Sequence, residues 1–303
     1  MSAREAHTED LKAEPSGPSA QEPSASLDQR SQNGISCEQG ASAPVNAEDT
    51  WREAAGATTT IDTATGESAP ASVSEERVLT IFTEIAQQYE RFNHLSSFGQ
   101  DRRWLRELVD AAPVTPQSHV LDVAGGTGEV TFALCSRKPP AHVLLTDYTP
   151  AMLDVAKQRM TRGDACGVPV DTMVVDAQDM PLESGRFDVV TMAYGIRNMP
   201  DRLAALHEIH RVLKPGGTIC ILEFSTPPLA PARAFYNLYL RWGIPAWGQH
   251  CTGKRDDFVY LARSIRAFPK QEEFAQMLRE VGFTNVVYRN LAFGAVAIHT
   301  AVK

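Results

Sequence analysis

The chain has 303 residues, enough for one large domain or two small ones, and a formal net charge of −8. The charge is unevenly placed: residues 1–76 hold fourteen acids and four bases (−10), so the other 227 residues carry about +2. A near-neutral folded part without a basic stripe excludes a nucleic-acid binder, and no apolar run approaches the ~18 residues that span a bilayer.

Residues 1–74 are dominated by Ala, Ser, Glu, Pro, Gly, Thr and Gln, with Trp51 as the only aromatic residue. Such a segment cannot bury enough apolar surface to offset its chain entropy, so it reads as a disordered acidic leader. It has no secretory apolar core and is too acidic for a mitochondrial transit peptide. The folded domain, 75–303, is expected to begin at Ser74-Glu75-Glu76, a serine cap with acids in the first helical turn. Val78, Phe82, Ile85 and Tyr89 follow at helical spacing and predict one apolar face. A polar and aromatic run then ends at Gly99, and a second amphipathic helix over 101–109 carries Trp104, Leu105 and Leu108. This pair is expected to cover a ligand crevice.

From His119 the chain reads as strand, tight turn and helix: an apolar run to Asp122 meets Gly125, Gly126 and Gly128, and a helix-permissive stretch begins at Glu129. Glycine in such a turn lets a ligand lie against bare backbone. Asp122, at the strand end, is expected to point into the crevice where an α/β sheet binds its ligand. Thr131 stands where a dinucleotide fingerprint needs its third glycine, and no Lys-Ser/Thr pair closes a phosphate loop. The turn therefore suits a nucleoside ligand without phosphates.

A second strand over 141–146 ends at Asp147, nineteen residues past Gly128, the interval at which an acid meets ribose hydroxyls. Thr149 is expected to cap the next helix, with Pro150 in its first turn. Strand three, 170–175, ends at Asp176-Ala177, where a carboxylate can accept from an adenine amino group. Strand four, 187–193, leads through Arg197-Asn198 to a helix over 202–213; Lys214-Pro215-Gly216-Gly217 forms a turn before strand five, 218–224. This alternation predicts a doubly wound α/β fold with a mostly parallel sheet. Two β-rich runs around Gly294, 285–289 and 295–302, predict an antiparallel C-terminal hairpin. The five cysteines are scattered without a C-x-x-C pair, so neither a disulfide framework nor a metal site is expected.

Asp122-Val-Ala-Gly-Gly-Thr-Gly128, Asp147 and Arg211-Val-Leu-Lys-Pro-Gly-Gly217 together resemble class I S-adenosylmethionine-dependent methyltransferases. Ser97-Phe-Gly99, Tyr194-Gly-Ile-Arg-Asn198, Leu222-Glu-Phe-Ser225, Tyr260 to Ile265 and Gly294 to His299 narrow this to the ubiquinone/menaquinone C-methyltransferases, over residues 75–303. The resemblance implies a Rossmann-like seven-stranded sheet with an N-terminal helical cover. It implies that Thr127, Asp147, Asp176 and Ala177 hold S-adenosyl-L-methionine, while Gly125, Gly126 and Gly128 leave room for its methionine part. Glu90, Glu129, Ala193 and Phe258 depart from the family's usual residues, and Phe258, lacking a hydroxyl, drops off the catalytic list.

The implied reaction places a methyl group on a ring carbon of a reduced polyprenyl quinone. That ring becomes nucleophilic when its hydroxyl loses a proton, so a base and a phenolate stabiliser are needed. Arg197 is expected to stabilise the phenolate and Asn198 to orient a water; the alternative for Arg197 is a structural pair with Asp201. Tyr89, Asn93 and His94 form a second set from the cover, and His299 is expected to be structural. The aromatic stretch Phe235–Trp247 is expected to line a groove for the isoprenoid tail and to touch the bilayer surface; an ordinary packed helix is its alternative.

Demethylmenaquinol, in menaquinone biosynthesis, is the expected acceptor. The alternatives are a 2-polyprenyl-6-methoxy-1,4-benzoquinol on the ubiquinone route, a bifunctional enzyme, or a protein that binds the cofactor without catalysis. A nicotinamide oxidoreductase shares the sheet and the ribose acid, but the missing glycine and the Lys214-Pro-Gly-Gly block count against it. Without a transit peptide the expectation is a cytoplasmic bacterial enzyme, peripheral to the inner face of the cell membrane, with a homodimer as its assembly.

Overall fold

Aliphatic and β-branched runs build the sheet of the computed structural model, which describes residues 75–303 apart from Lys254. The leader expected over 1–74 lies outside the described residues. Five strands run parallel: β1 (His119–Asp122), β2 (His142–Asp147), β3 (Val170–Val174), β4 (Phe187–Ala193) and β5 (Leu213–Phe224). The hairpin β6 (Thr284–Leu291) and β7 (Val296–Val302) adds two more, with β7 antiparallel to both β5 and β6. The order is β3-β2-β1-β4-β5-β7-β6. Strand order therefore reverses beside β1, and the crevice at such a switch point opens above the carboxyl ends of the strands.

The cover comprises α1 (Glu75–Ile85) and α2 (Tyr89–Ser96), followed by α3 (Asp101–Ala111). α4 (Glu129–Arg137), α5 (Pro150–Thr161) and α6 (Arg202–Val212) cross between strands. Between β5 and the hairpin come α7 (Ala230–Leu238), α8 (Ile244–Thr252), α9 (Arg255–Ala267) and α10 (Gln271–Val281). Alternate side chains on each strand feed opposite layers. Val120, Val143, Val189 and Cys220 pack under Leu105 and Leu108 of α3 and Leu134 of α4. Leu121, Val190, Ile219 and Ile221 pack against Leu206 and Ile209 of α6 and Phe274 and Leu278 of α10. The four described cysteines are unbridged.

Four local departures from the sequence reading matter. The helical face over 78–89 is broken at 86–88: Ile81 and Ile85 before the break and Phe92 after it bury in one cluster with Leu240, Ile244 and Phe258. Lys214–Gly217 is no separate turn. It is folded into β5, where pairing jumps from Phe187↔Leu213 to Val189↔Thr218. Thr149 precedes α5 but its side chain makes no cap. The aromatic stretch becomes α7, a π-helical turn over Tyr239–Gly243, and α8.

Candidate functional site

A cleft of roughly 1080 Å³, mouth included, lies over β1, β2 and β4. Its floor is the glycine turn. A Cβ on Gly125 would stand 2.3 Å from Leu145 Cδ1 and 2.8 Å from Asp122 Oδ2, so the turn lies flat on the sheet and offers only backbone to a ligand. Asp122 corrects the sequence reading. It is fully buried, and its carboxylate accepts from the Thr131 amide (3.2 Å), the Thr131 hydroxyl (2.7 Å) and the Thr191 hydroxyl (2.8 Å). Burial pushes that carboxyl up to about 6. Asp122 ties the first turn of α4 to β4 and does not face the cleft. Gly128 is also set apart from the cleft wall: it precedes α4 with φ +85°, against the Phe132 ring.

Asp147 lines the cleft at the end of β2. Its Oδ2 accepts from the Gly126 amide at 2.9 Å and its Oδ1 from the Thr149 amide at 2.8 Å. A carboxylate offers about four acceptor sites, so Asp147 keeps acceptor capacity beyond these bonds for a ribose hydroxyl. Burial raises its pKa. Asp176 and Ala177 form the adjoining wall, with Asp176 Oδ1 accepting from the Gln178 amide at 2.8 Å. Thr127 lines the cleft too, but its side chain is committed: the residue is 2% exposed and its hydroxyl donates to Glu90 at 2.8 Å. A bare glycine floor, a diol-accepting acid and an acid beside a small residue fit the adenosine part of the implied cofactor.

The expected catalytic residues divide. Tyr89 and Asn198 line the cleft. Burial raises the Tyr89 hydroxyl, and Asn198 Oδ1 is buried without a partner. Arg197 is behind the wall. Its Nη1 donates to Tyr194 O at 2.5 Å and to Glu223 Oε1 at 2.7 Å, with both side chains of the ion pair 1% exposed. A guanidinium keeps its proton, so Glu223 is its buried counter-ion. The pair with Asp201 is not formed; Asp201 accepts from the Ala204 amide at 2.9 Å and caps α6. His94 is the clearest misplacement: Nδ1 lies 3.1 Å from Asp101 Oδ1, its side chain is 43% exposed, and it does not line the cleft.

Two residues carry more than the sequence reading gave them. Glu129 lines the cleft; burial first, and the charges of Glu90 and Asp101 next, push its carboxyl up to about 7. An acid in the first turn after the glycines was the signal, but it also suits a helix start. Glu223 was read only as part of the Leu222-Glu-Phe-Ser225 block; an acid inside an apolar strand end is the signal that marks it.

A second chamber of roughly 490 Å³ shares Asn93 and Tyr194 with the cleft. The aromatic stretch supplies Tyr236, Tyr239, Leu240 and Ile244 to its wall, facing Trp104 and Phe224. Phe235, Leu238 and Trp242 instead face outward, and Trp247 packs edge-on against Phe98 at 6.3 Å. Among the described residues, no group of His, Cys, Asp and Glu could hold a metal ion, and no helix is long and apolar enough to cross a membrane.

Residues 71–303 match the model of the ubiE/COQ5 methyltransferase family. The ubiquinone/menaquinone biosynthesis C-methyltransferase UbiE of Dinoroseobacter shibae is 40% identical over 74% of this chain and 89% of its own length. The mitochondrial 2-methoxy-6-polyprenyl-1,4-benzoquinol methylase of Caenorhabditis elegans is 38% identical, covering 76% and 80%. The demethylmenaquinone methyltransferase of Streptomyces avermitilis is also 38% identical, over 75% and 94%.

Proposed function

This chain belongs to the ubiE/COQ5 methyltransferase family, and from that premise we propose that it C-methylates the ring of a reduced polyprenyl quinone, demethylmenaquinol foremost. Its methyl donor is S-adenosylmethionine. The observation that carries the reading is the cleft, which brings the nucleoside-fitting wall of Asp147, Asp176 and Ala177 together with the ionisable carboxyl of Glu129.

When bound, S-adenosylmethionine supplies a methyl group on a positively charged sulfur that leaves without acid assistance. Asp147 receives the ribose hydroxyls, and Asp176 with Ala177 bounds the adenine. The remaining demand is to deprotonate and align the acceptor, and orientation alone can contribute ~7–11 kcal/mol. Glu129, as a carboxylate, takes the ring hydroxyl's proton, directly or through a water held by Asn198 Oδ1; once the ring carbon carries the methyl group, its own hydrogen leaves as a proton to solvent at the cleft mouth and Glu129 returns the first proton to the ring oxygen, which restores the aromatic quinol. Arg197 acts as a positioning residue. Paired with Glu223, it fixes the Tyr194 carbonyl and, through it, the turn that presents Asn198. Tyr89 closes the cleft from the cover.

The relatives include methylases of both benzoquinol and menaquinone type. The aromatic lining of the second chamber, Trp104, Phe224, Tyr236 and Tyr239, favours a two-ring naphthoquinol, which offers more surface to stack. The benzoquinol acceptor, or both, is the second reading. The enzyme would work in the cytoplasm as a peripheral protein at the inner membrane face, where polyprenyl quinols reside. An anaerobic assay offering both reduced acceptors with S-adenosylmethionine, read by mass spectrometry, tests this. Menaquinol is expected; product from the benzoquinol alone moves the acceptor to the second reading, and product from neither overturns the function.

A further inference from the structure

We propose that Tyr194 and Asn93 form a clamp for one hydroxyl of the acceptor's aromatic ring, set in the partition shared by the two chambers. The clamp rests on the ring-methylation reading for its ligand, and on the geometry alone for its existence.

Both residues line both chambers. Tyr194 OH and Asn93 Nδ2 are each buried with no hydrogen-bond partner. A buried polar atom left unpaired costs about 1–3 kcal/mol, and folded proteins keep few of them. Two such atoms on one partition, next to empty space, mark a place where a ligand completes the bonding. Their chemistry narrows the ligand. Asn93 Nδ2 only donates, and burial raises the Tyr194 pKa well above its ordinary value, so its hydroxyl keeps its proton and can donate as well. Two donors suit one oxygen carrying or developing negative charge. A phenolic hydroxyl on its way to phenolate is such an oxygen; a methyl ether is a poorer acceptor and brings bulk.

The partition is also built to hold its shape. Tyr194 has φ +59°, a left-handed conformation that a bulky aromatic residue adopts only under constraint. The constraint is visible: its carbonyl accepts from the buried Arg197 at 2.5 Å, and its ring stacks on Phe224 at 4.7 Å and 29°. The buried Arg197–Glu223 pair, which does not reach the cleft, thus has a purpose in aiming the Tyr194 hydroxyl.

The test uses the full chain, with 1,4-naphthalenediol as the probe under anaerobic conditions. Tyr194→Phe removes one oxygen at constant shape, and Asn93→Leu removes the second donor. Each variant is expected to bind the diol about tenfold more weakly, while S-adenosylmethionine affinity measured by calorimetry stays within twofold. In turnover, kcat should fall as well as acceptor KM rise, because the lost donors face an oxygen whose charge grows toward the transition state. Retained cofactor binding certifies the fold, and either variant alone suffices if the other misfolds. Unchanged diol affinity in both variants, or no diol binding by the wild type, overturns the clamp. Weaker diol binding in the variants with no methylated product from wild type would instead overturn the reaction and leave the clamp standing.

Discussion

Glu129 is a cleft residue whose carboxyl is poised near neutrality, and that makes two measurements informative. Its carboxyl titrates at about 7 in the folded protein. Below that pH it is protonated and cannot accept a proton, so turnover of the wild type should climb as pH rises through 7 and level off above it. Glu129→Gln should lose that limb and fall ~10²–10⁴-fold in kcat; a wild-type rate flat between pH 6 and 8 would remove Glu129 from the reaction. Stability moves the other way. Because the folded pKa is raised, the carboxyl's contribution is intact below the ordinary carboxylate range and is lost as pH rises through 7. Glu129→Gln should therefore melt above the wild type at pH 8 and beside it near pH 4. The candidate site was only partly legible beforehand. Asp147 was expected from its interval past the glycines and Asp176 with Ala177 from the end of strand three, and the fold brings all three to one cleft. The Arg197–Glu223 pair was not, because 26 residues separate two side chains that meet across neighbouring strand ends. Removing one partner of so buried a pair typically costs ~3–5 kcal/mol, so Arg197→Ala reports on folding as much as on chemistry.

Among the elements, the cover is joined to the cleft floor through one carboxylate. Glu90 of α2 accepts from Thr127 of the glycine turn at 2.8 Å and from Arg159 Nη1 of α5 at 2.5 Å. Arg159 also donates to Asp164 at 2.8 Å and lies 4.6 Å over the Phe132 ring. Glu90→Ala should loosen α2 over the turn and weaken S-adenosylmethionine binding about fivefold, a modest figure because Glu90 is partly exposed and solvent screens the pair. Calorimetry checks it, and an unaltered affinity would show that the cover closes without this joint. The five parallel strands were readable from their apolar runs and the hairpin from its β-rich ends. The α7 to α9 excursion was not. Its aromatic run is interrupted by Gly243 and Pro245, and it holds together by packing Leu240 and Ile244 onto Phe92 and Phe258, contacts no local pattern announces.

At the scale of the molecule, the excursion leaves one unusual surface. Phe235 is 73% exposed, and Leu238 and Trp242 are each 57% exposed. No acidic residue occurs between Glu223 and Asp256, whereas Arg233 and Arg241 fall there. Apolar side chains flanked by arginines match an anionic bilayer surface. Flotation with anionic vesicles should carry the wild type upward and leave a Phe235→Ser/Trp242→Ser double variant behind; equal flotation would sink the membrane contact. Trp247 is unsuited to that test because it packs against Phe98. The strand order has a consequence for biosynthesis. β7 sits between β5 and β6, yet it follows both in the chain. A nascent chain that has emerged only through β6 holds a strand with no neighbour and a β5 edge open along its length, and bare edges of this kind recruit other chains. The newborn protein thus passes through a sticky stage that ends only when residues 296–302 enter the gap between β5 and β6.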